Sequence, residues 1–229
     1  MIRALYTAAS GLVAEANKQD VIANNIANAQ TPGFKRERVT KVSFAEVFRR
    51  QVAFGKSKDL ESYPSSAVEP VLTTLDQSVD MSQGSIRPTD NPLDLAIDGP
   101  GFFEVAYPDG VRYTRAGNFT LNSQRELCTL DGAKVQGSAG SIRLPNGAIE
   151  IYSDGSILVN GQQVDRLRIV GASQGKTRVI SGALEESNVS VVKELADMIV
   201  NMRSFEANQR VVTSVDHTLD KLINEAGRV

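Results

Sequence analysis

Apolar side chains in the last fifth of the chain recur in threes and fours, at Val192, Leu195, Ile199, Met202, Phe205, Val212, Val215, Leu219 and Leu222, with one gap at Gln209. This spacing predicts an amphipathic helix carrying a coiled-coil-like stripe. With Asn188 or Ser190 as N-cap and Gly227 as the stop, it runs to roughly 40 residues, or about 60 Å at 1.5 Å per residue. A weaker stripe through Leu5, Ala9, Leu12, Ala16, Ile22 and Ile26 predicts a second helix, within residues 1–30. It ends at Thr31-Pro32-Gly33, because proline breaks the hydrogen-bond ladder. Asn17, Asn24, Asn25 and Asn28 each cost a helix about 0.5 kcal/mol relative to Ala, and their amides need partners if buried. Such a helix gains order by packing against another, and the long C-terminal stripe, in this subunit or a neighbour, is the natural partner.

Between the two stripes the periodicity changes. All eight prolines and sixteen of the eighteen glycines fall between Thr31 and Gly182. Asp-Gly at Asp98, Asp109, Asp131 and Asp154 and Asn-Gly at Asn146 and Asn160 supply the positive φ angles of tight hairpins. The runs between them read as strands: Asp94–Ile97, Gly101–Tyr107, Gly110–Arg115, Asn118–Leu121, Glu126–Leu130, Ile142–Leu144, Ala148–Tyr152, Ser156–Val159 and Asp165–Val170. The predicted class is α+β: an all-β central domain flanked by N- and C-terminal helices that pack together as a coiled-coil-like layer. The expected divisions are the N-terminal helix in 1–30, an irregular or extended linking region in 31–85, a β-rich domain in 86–180 and the C-terminal helix in 183–229. Within the linking region, Lys41–Phe54 reads as a short helix through Val42, Ala45, Phe48 and Val52.

Composition then removes function classes. The 229 residues are 41% hydrophobic and 23% charged, with one Cys, one His and a net charge of −2. An internal disulfide and a His/Cys zinc cluster are both excluded. The overall field does not favour nucleic acid. Cys128, in a strand beside Leu127 and Leu130, reads as a buried thiol rather than a nucleophile. His217 reads as a surface or seam histidine on the C-terminal helix. Asp90, Asp94 and Asp98 flank turns and lack EF-hand spacing. No catalytic residue, cofactor or metal site is expected. No run approaches the roughly 20 apolar residues of a membrane span, and the opening imitates a cleaved signal peptide only poorly. The charge is nonetheless uneven: 31–60 carries eight basic side chains against three acidic, and 183–226 eight acidic against four basic. These +5 and −4 regions are expected to face each other between subunits and to set register.

Several stretches resemble one family. Residues 1–12 (MIRALYTAASGL), 20–28 (DVIANNIAN) and Thr31-Pro32-Gly33-Phe34-Lys35 are similar to the N-terminal signature of flagellar axial proteins. Residues 91–103 (NPLDLAIDGPGFF) and 113–119 (YTRAGNF) resemble the rod and hook members, as do 181–189 (SGALEESNV) and 205–210 (FEANQR). The compact middle is most similar to the basal-body rod family of the FlgF/FlgG type, although the stretch from Val170 to Ser181 is shorter than such members are expected to carry. The resemblance implies a structural subunit that is exported without a cleaved signal peptide by the flagellar type III apparatus. It implies polymerisation through the terminal helices into the periplasmic rod of the basal body, which passes motor torque to the hook. The implied partners are copies of the chain, other rod and hook axial proteins and the export apparatus, with no nucleic acid and no membrane insertion. The expected assembly residues are Leu5, Leu12, Ile22, Asn24, Asn25, Ile26, Asn28, Pro32, Gly33 and Phe34 at one end, and the nine stripe residues Val192 to Leu222 at the other. The alternatives are a monomeric β-domain binding module with a local helical hairpin, and a hook-type axial protein of the same family.

Overall fold

A computed structural model describes residues 2–43, 73–172 and 177–226 of the chain. They form two compact units, one comprising 1–27, 37–80 and 190–229, the other 28–36 and 81–189. The protein is α+β, with a β-rich centre and a helix at each end of the chain that pack on one another.

The helical unit holds α1 (Ile2–Ala27), β1 (Glu37–Ser43), β2 (Thr73–Val79) and α2 (Val191–Ala226). The two helices run antiparallel, since Asn25 meets Glu194, Glu15 meets Asn201 and Gly11 meets Asn208. Their seam differs from the stripes in the sequence. On α1, Ala8, Ala14, Glu15, Ile22 and Asn25 are buried, with Gly11 and Lys18 half-buried, so that 8, 11, 15, 18, 22 and 25 form an inward row spaced 3-4-3-4-3 with Ala14 beside it. On α2 the inward row is Glu194, Asn201, Ser204, Asn208, Val212 and Val215. The α2 stripe expected to cover α1 therefore lies mostly on another face. The seam takes polar side chains because they pair there: Asn201 Nδ2 donates to Glu15 O and Gln19 Oε1, each at 2.9 Å. Gly11, the sole glycine of α1, has its open side filled by the Asn208 amide, 3.0 Å from where a Cβ would stand.

Within the linking region expected as irregular or extended, β1 and β2 form a regular antiparallel ladder from Glu37 opposite Val79 to Ser43 opposite Thr73. Lys41 to Ser43, the start of the expected short helix, belong to β1; the rest of that segment lies outside the described residues. Its β-branched run Val39, Thr40 and Val42 suits a strand.

The second unit holds fourteen short strands: β3 (Ile86–Pro88), β4 (Leu95–Asp98), β5 (Phe102–Tyr107), β6 (Gly110–Thr114), β7 (Thr120–Leu121), β8 (Leu127–Cys128), β9 (Lys134–Gly137), β10 (Gly140–Ser141), β11 (Ile149–Ile151), β12 (Ser156–Val159), β13 (Gln162–Arg166), β14 (Ile169–Val170), β15 (Arg178–Ser181) and β16 (Ala183–Glu185). The largest sheet runs β14-β5-β9-β8-β7, with β6 also on β5 and β10 on β9; β11-β12-β13 form a second. Pairs β4–β15 and β3–β16 close the unit. All of these pairings are antiparallel. Asn160 (φ 53°) and Gly161 (φ 79°) make the two-residue turn between β12 and β13, with the positive φ at both positions that a type I′ turn needs.

The run Asp165–Val170, expected as one strand, is two. Its first part pairs with β12. After Leu167 N donates to Gly155 O, the chain crosses to pair with β5. Ile142 and Leu144, expected in a strand, lie beyond the end of β10, although their amides still bond to Val135 and Arg125 carbonyls and both side chains are fully buried. The core is Leu95, Ile97, Phe103, Val105, Phe119, Leu127, Val135, Ile142, Leu144 and Ile157, with Phe103 and Phe119 edge to face at 5.1 Å. Cys128 is buried beside it and its Sγ contacts Thr120 O.

Candidate functional site

Three stretches far apart in sequence meet at one carboxylate. Glu185, at the end of β16, is fully buried; its Oε1 accepts from Lys35 Nζ at 2.6 Å and Gly84 N at 3.0 Å, and its Oε2 from Arg115 Nη1 at 3.1 Å. Arg115 also donates to Ile97 O and Gly99 O, and its guanidinium lies 5.3 Å from the Phe102 ring centre. Lys35 donates to Ser82 O. Charges taken this far from water are tolerated when paired and hydrogen-bonded, and although Arg115 Nε has no hydrogen-bond partner among the described residues, the remaining bonds fix one geometry for the chain segments that supply the cluster.

The backbone is equally constrained. Gly33, at φ 70°, donates from its N to Glu185 O at 2.7 Å, and a Cβ there would run into the Arg115–Ala116 backbone. Only glycine fits both conditions. Asn28 shapes the turn before it, accepting at its O from Thr31 N and at its Oδ1 from Thr31 Oγ1. Pro32 and Phe34 are half-buried here. Asn188, expected as a helix cap, instead accepts from Arg36 N and donates to Ser82 O. Ser190 occupies the position before α2, its O accepting from Glu194 N.

In the helical unit, Asn25 performs the same kind of tethering. Its Oδ1 accepts from Glu37 N at 2.9 Å and its Nδ2 donates to Glu37 O at 2.8 Å, so one amide completes the ladder end of β1. The same Nδ2 lies 3.3 Å from Glu194 Oε2. Ile22 is buried, Leu5, Leu12 and Ile26 are half-buried, and Asn24 faces outward. On α2, Val192 is 80% exposed, Ile199 55% and Met202 54%, with Leu195, Phe205 and Leu219 also exposed and Val212 and Val215 half-buried. The Leu222 side chain lies outside the described ones. Val200, Val211 and Ile223 extend the exposed apolar surface.

The structure thus splits the expected assembly residues into an internal set, Ile22, Asn25, Asn28, Gly33 and part of Phe34, and an outward set centred on Val192 to Phe205. Sequence reading assigned no role to Arg115, Glu185, Glu194, Asn201 or Asn208. For the last three a signal exists, since Glu194, Asn201 and Asn208 recur at a strict seven-residue spacing along the helix. His217 is exposed. Asp94 is buried as a turn acceptor for Thr89 Oγ1 and Asn91 Nδ2. Among the described residues no group of three or more His, Cys, Asp or Glu could hold a metal. No described helix is long and apolar enough to cross a membrane.

A chain whose segments following the first helix and preceding the last are tied through a buried charge cluster, while a long helix presents an exposed apolar face, has the build of a structural subunit rather than an enzyme. The comparisons agree in kind and in position. Residues 5–35 match the family model described as flagella basal body rod protein, 96–159 that of the flagellar hook protein FlgE/F/G D1 domain, and 180–225 that of the flagellar basal body rod FlgEFG protein C-terminal region. The flagellar basal-body rod protein FlgG of Bacillus subtilis is 33% identical, over 98% of this chain and 99% of that one. FlgG of Buchnera aphidicola subsp. Schizaphis graminum is 32% identical over 97% and 99%. FlgF of Salmonella typhimurium is 31% identical over 94% and 95%. The chain belongs to the FlgF/FlgG family of flagellar basal-body rod proteins, and is a structural rod subunit of the flagellar basal body. The Bacillus alignment spans 264 positions against 229 residues here, so at least 35 positions have no counterpart in this chain. Lys35, Arg115 and Glu185 each fall within, or beside the start of, a stretch that carries the family resemblance.

Proposed function

We propose that this chain polymerises through its terminal helices into the periplasmic rod, reaches it through the flagellar export apparatus, and transmits torque to the hook as part of a coiled-coil-like inner layer. The observation that carries this reading is the α2 face of Val192, Leu195, Ile199, Met202 and Phe205, which a single chain leaves open to solvent. An isolated domain gains nothing from such a face, whereas copies stacked along it bury it. If each side chain newly buries about 30 Å² of apolar surface, it contributes about 0.75 kcal/mol at roughly 25 cal/mol per Å², before association costs. One contact is weak; contacts repeated with several neighbours resist twisting. Leu5, Leu12 and Ile26 on α1 are the proposed second contributors. The basic segment 31–60 and the acidic segment 183–226 set register between copies, less those charges already held within the chain, such as Lys35 by Glu185 and Arg38 by Asp80.

The test is polymerisation of the purified full chain, followed by sedimentation and electron microscopy. Leu195→Asp with Ile199→Asp is expected to raise the critical concentration by more than tenfold while monomer helicity by circular dichroism stays unchanged, because both positions are exposed. Filaments at the wild-type concentration from that variant would overturn the reading.

A further inference from the structure

The helical unit contains a cleft of about 350 Å³ between α1 and α2 whose chemistry is not that of an ordinary apolar seam. Ala16, Met202 and Phe205 form its apolar lining, and Glu15, Asp20 and Glu206 bring three carboxylates to it. Asp20 and Glu206 are exposed and have no ion-pair partner among the described residues. Asn201 also lines the cleft, 98% removed from solvent, and its Oδ1 has no hydrogen-bond partner among the described residues. The amide orientation is determined by its other end: Nδ2 already donates to Glu15 O and Gln19 Oε1, two acceptors that would repel an oxygen. A buried acceptor without a donor is destabilising, so the cleft lacks an N–H.

We infer that this cleft receives an arginine side chain of α2 from a second copy of the chain, Arg203 or Arg210. A guanidinium offers several donors in one plane, enough for Asn201 Oδ1 and the rim carboxylates together, and it stacks on an aromatic face such as Phe205. A lysine ammonium satisfies the charge but neither the planar geometry nor the stacking. Arg203 and Arg210 are exposed, seven residues apart on the helix that carries the open apolar face, and neither has an ion-pair partner among the described residues. The inference rests on the polymerisation proposed above and adds to it a charge-specific socket that fixes how far one α2 is displaced along the next.

The experiment compares two full-length variants, Asp20→Lys/Glu206→Lys and Arg203→Glu/Arg210→Glu, alone and mixed in equal amounts, with polymer measured by sedimentation. Each alone is expected to raise the critical concentration at least tenfold. The mixture is expected to return it to within about twofold of the wild type, since the lysines of the socket variant then meet the glutamates of the other variant, whose unaltered socket meets the unaltered arginines. Monomer circular dichroism guards against misfolding, because all four positions are exposed. Wild-type polymerisation by the socket variant overturns the inference while leaving assembly intact. So does failure of the mixture to recover, which assigns these arginines to pairing within one chain. Failure of the wild-type chain to polymerise at all refutes the underlying reading instead.

Discussion

At Glu185, two buried cations and one backbone amide share one carboxylate, so removing its charge leaves Lys35 and Arg115 facing each other without compensation. Glu185→Gln is expected to destabilise the β unit by about 3–5 kcal/mol in urea denaturation, the range for breaking a buried ion pair from one side. Lys35→Met, which keeps the Glu185–Arg115 pair, is expected to cost less. A milder electrostatic effect sits at the surface of the same unit. The Glu126 carboxyl is held below its ordinary value of 4.5 first by the Lys134 ammonium hydrogen-bonded to it and then by the Asn122 amide. Asp131 is lowered by hydrogen bonds from Thr129 and Tyr107, and Asp154 by one from Ser156. A folded value below the unfolded one means stability that is complete above the ordinary carboxylate range and is lost as pH falls through the lowered value. The urea midpoint is therefore expected to hold from neutrality to about pH 5 and to decline below about pH 4, and Glu126→Gln is expected to flatten part of that decline.

At the scale of the element, helix existence was readable and helix orientation was not. The 3.6-residue period located α1 and α2 to within a few residues of their observed ends. Periodicity arguments, however, take the apolar face to be the covered one, and α2 reverses this within a single chain. Glu194, Asn201 and Asn208 turn inward because each finds a partner or a space on α1, while Leu195 and Ile199 turn outward. Short strands fared similarly: Asn160-Gly161 announced its hairpin locally, but β3 and β16 are opposed only through residues almost a hundred positions apart, a pairing no local pattern encodes. Gly33 and Arg115 lie in recognisable motifs, yet their reason is tertiary, a backbone contact and a carboxylate supplied by β16. The Gly11–Asn208 contact gives this scale its own test. Gly11→Leu is expected to prise apart the helix pair around it, seen as faster amide hydrogen exchange in residues 2–14 and reduced helicity. Asn208→Ala is expected to restore part of the protection by making room.

For the whole molecule, the order in which segments become available matters. Strands β3 and β4 have their antiparallel partners in β16 and β15, and the cation of Arg115 has its counter-charge at residue 185. Leu95 and Ile97 are fully buried once that closure is made. A chain emerging from its N-terminal end must therefore hold two open strand edges and an unneutralised guanidinium until four-fifths of it has appeared. Such late, long-range pairing slows folding and keeps intermediates extended. A chain ended after residue 177 is expected to leave residues 86–98 open to limited proteolysis, and a separate peptide of residues 178–189 is expected to protect them. The buried carboxylate thus acts as a clock: it delays the closed state until the segment leading into α2 is present, so that the middle of the chain and its long helix become competent together.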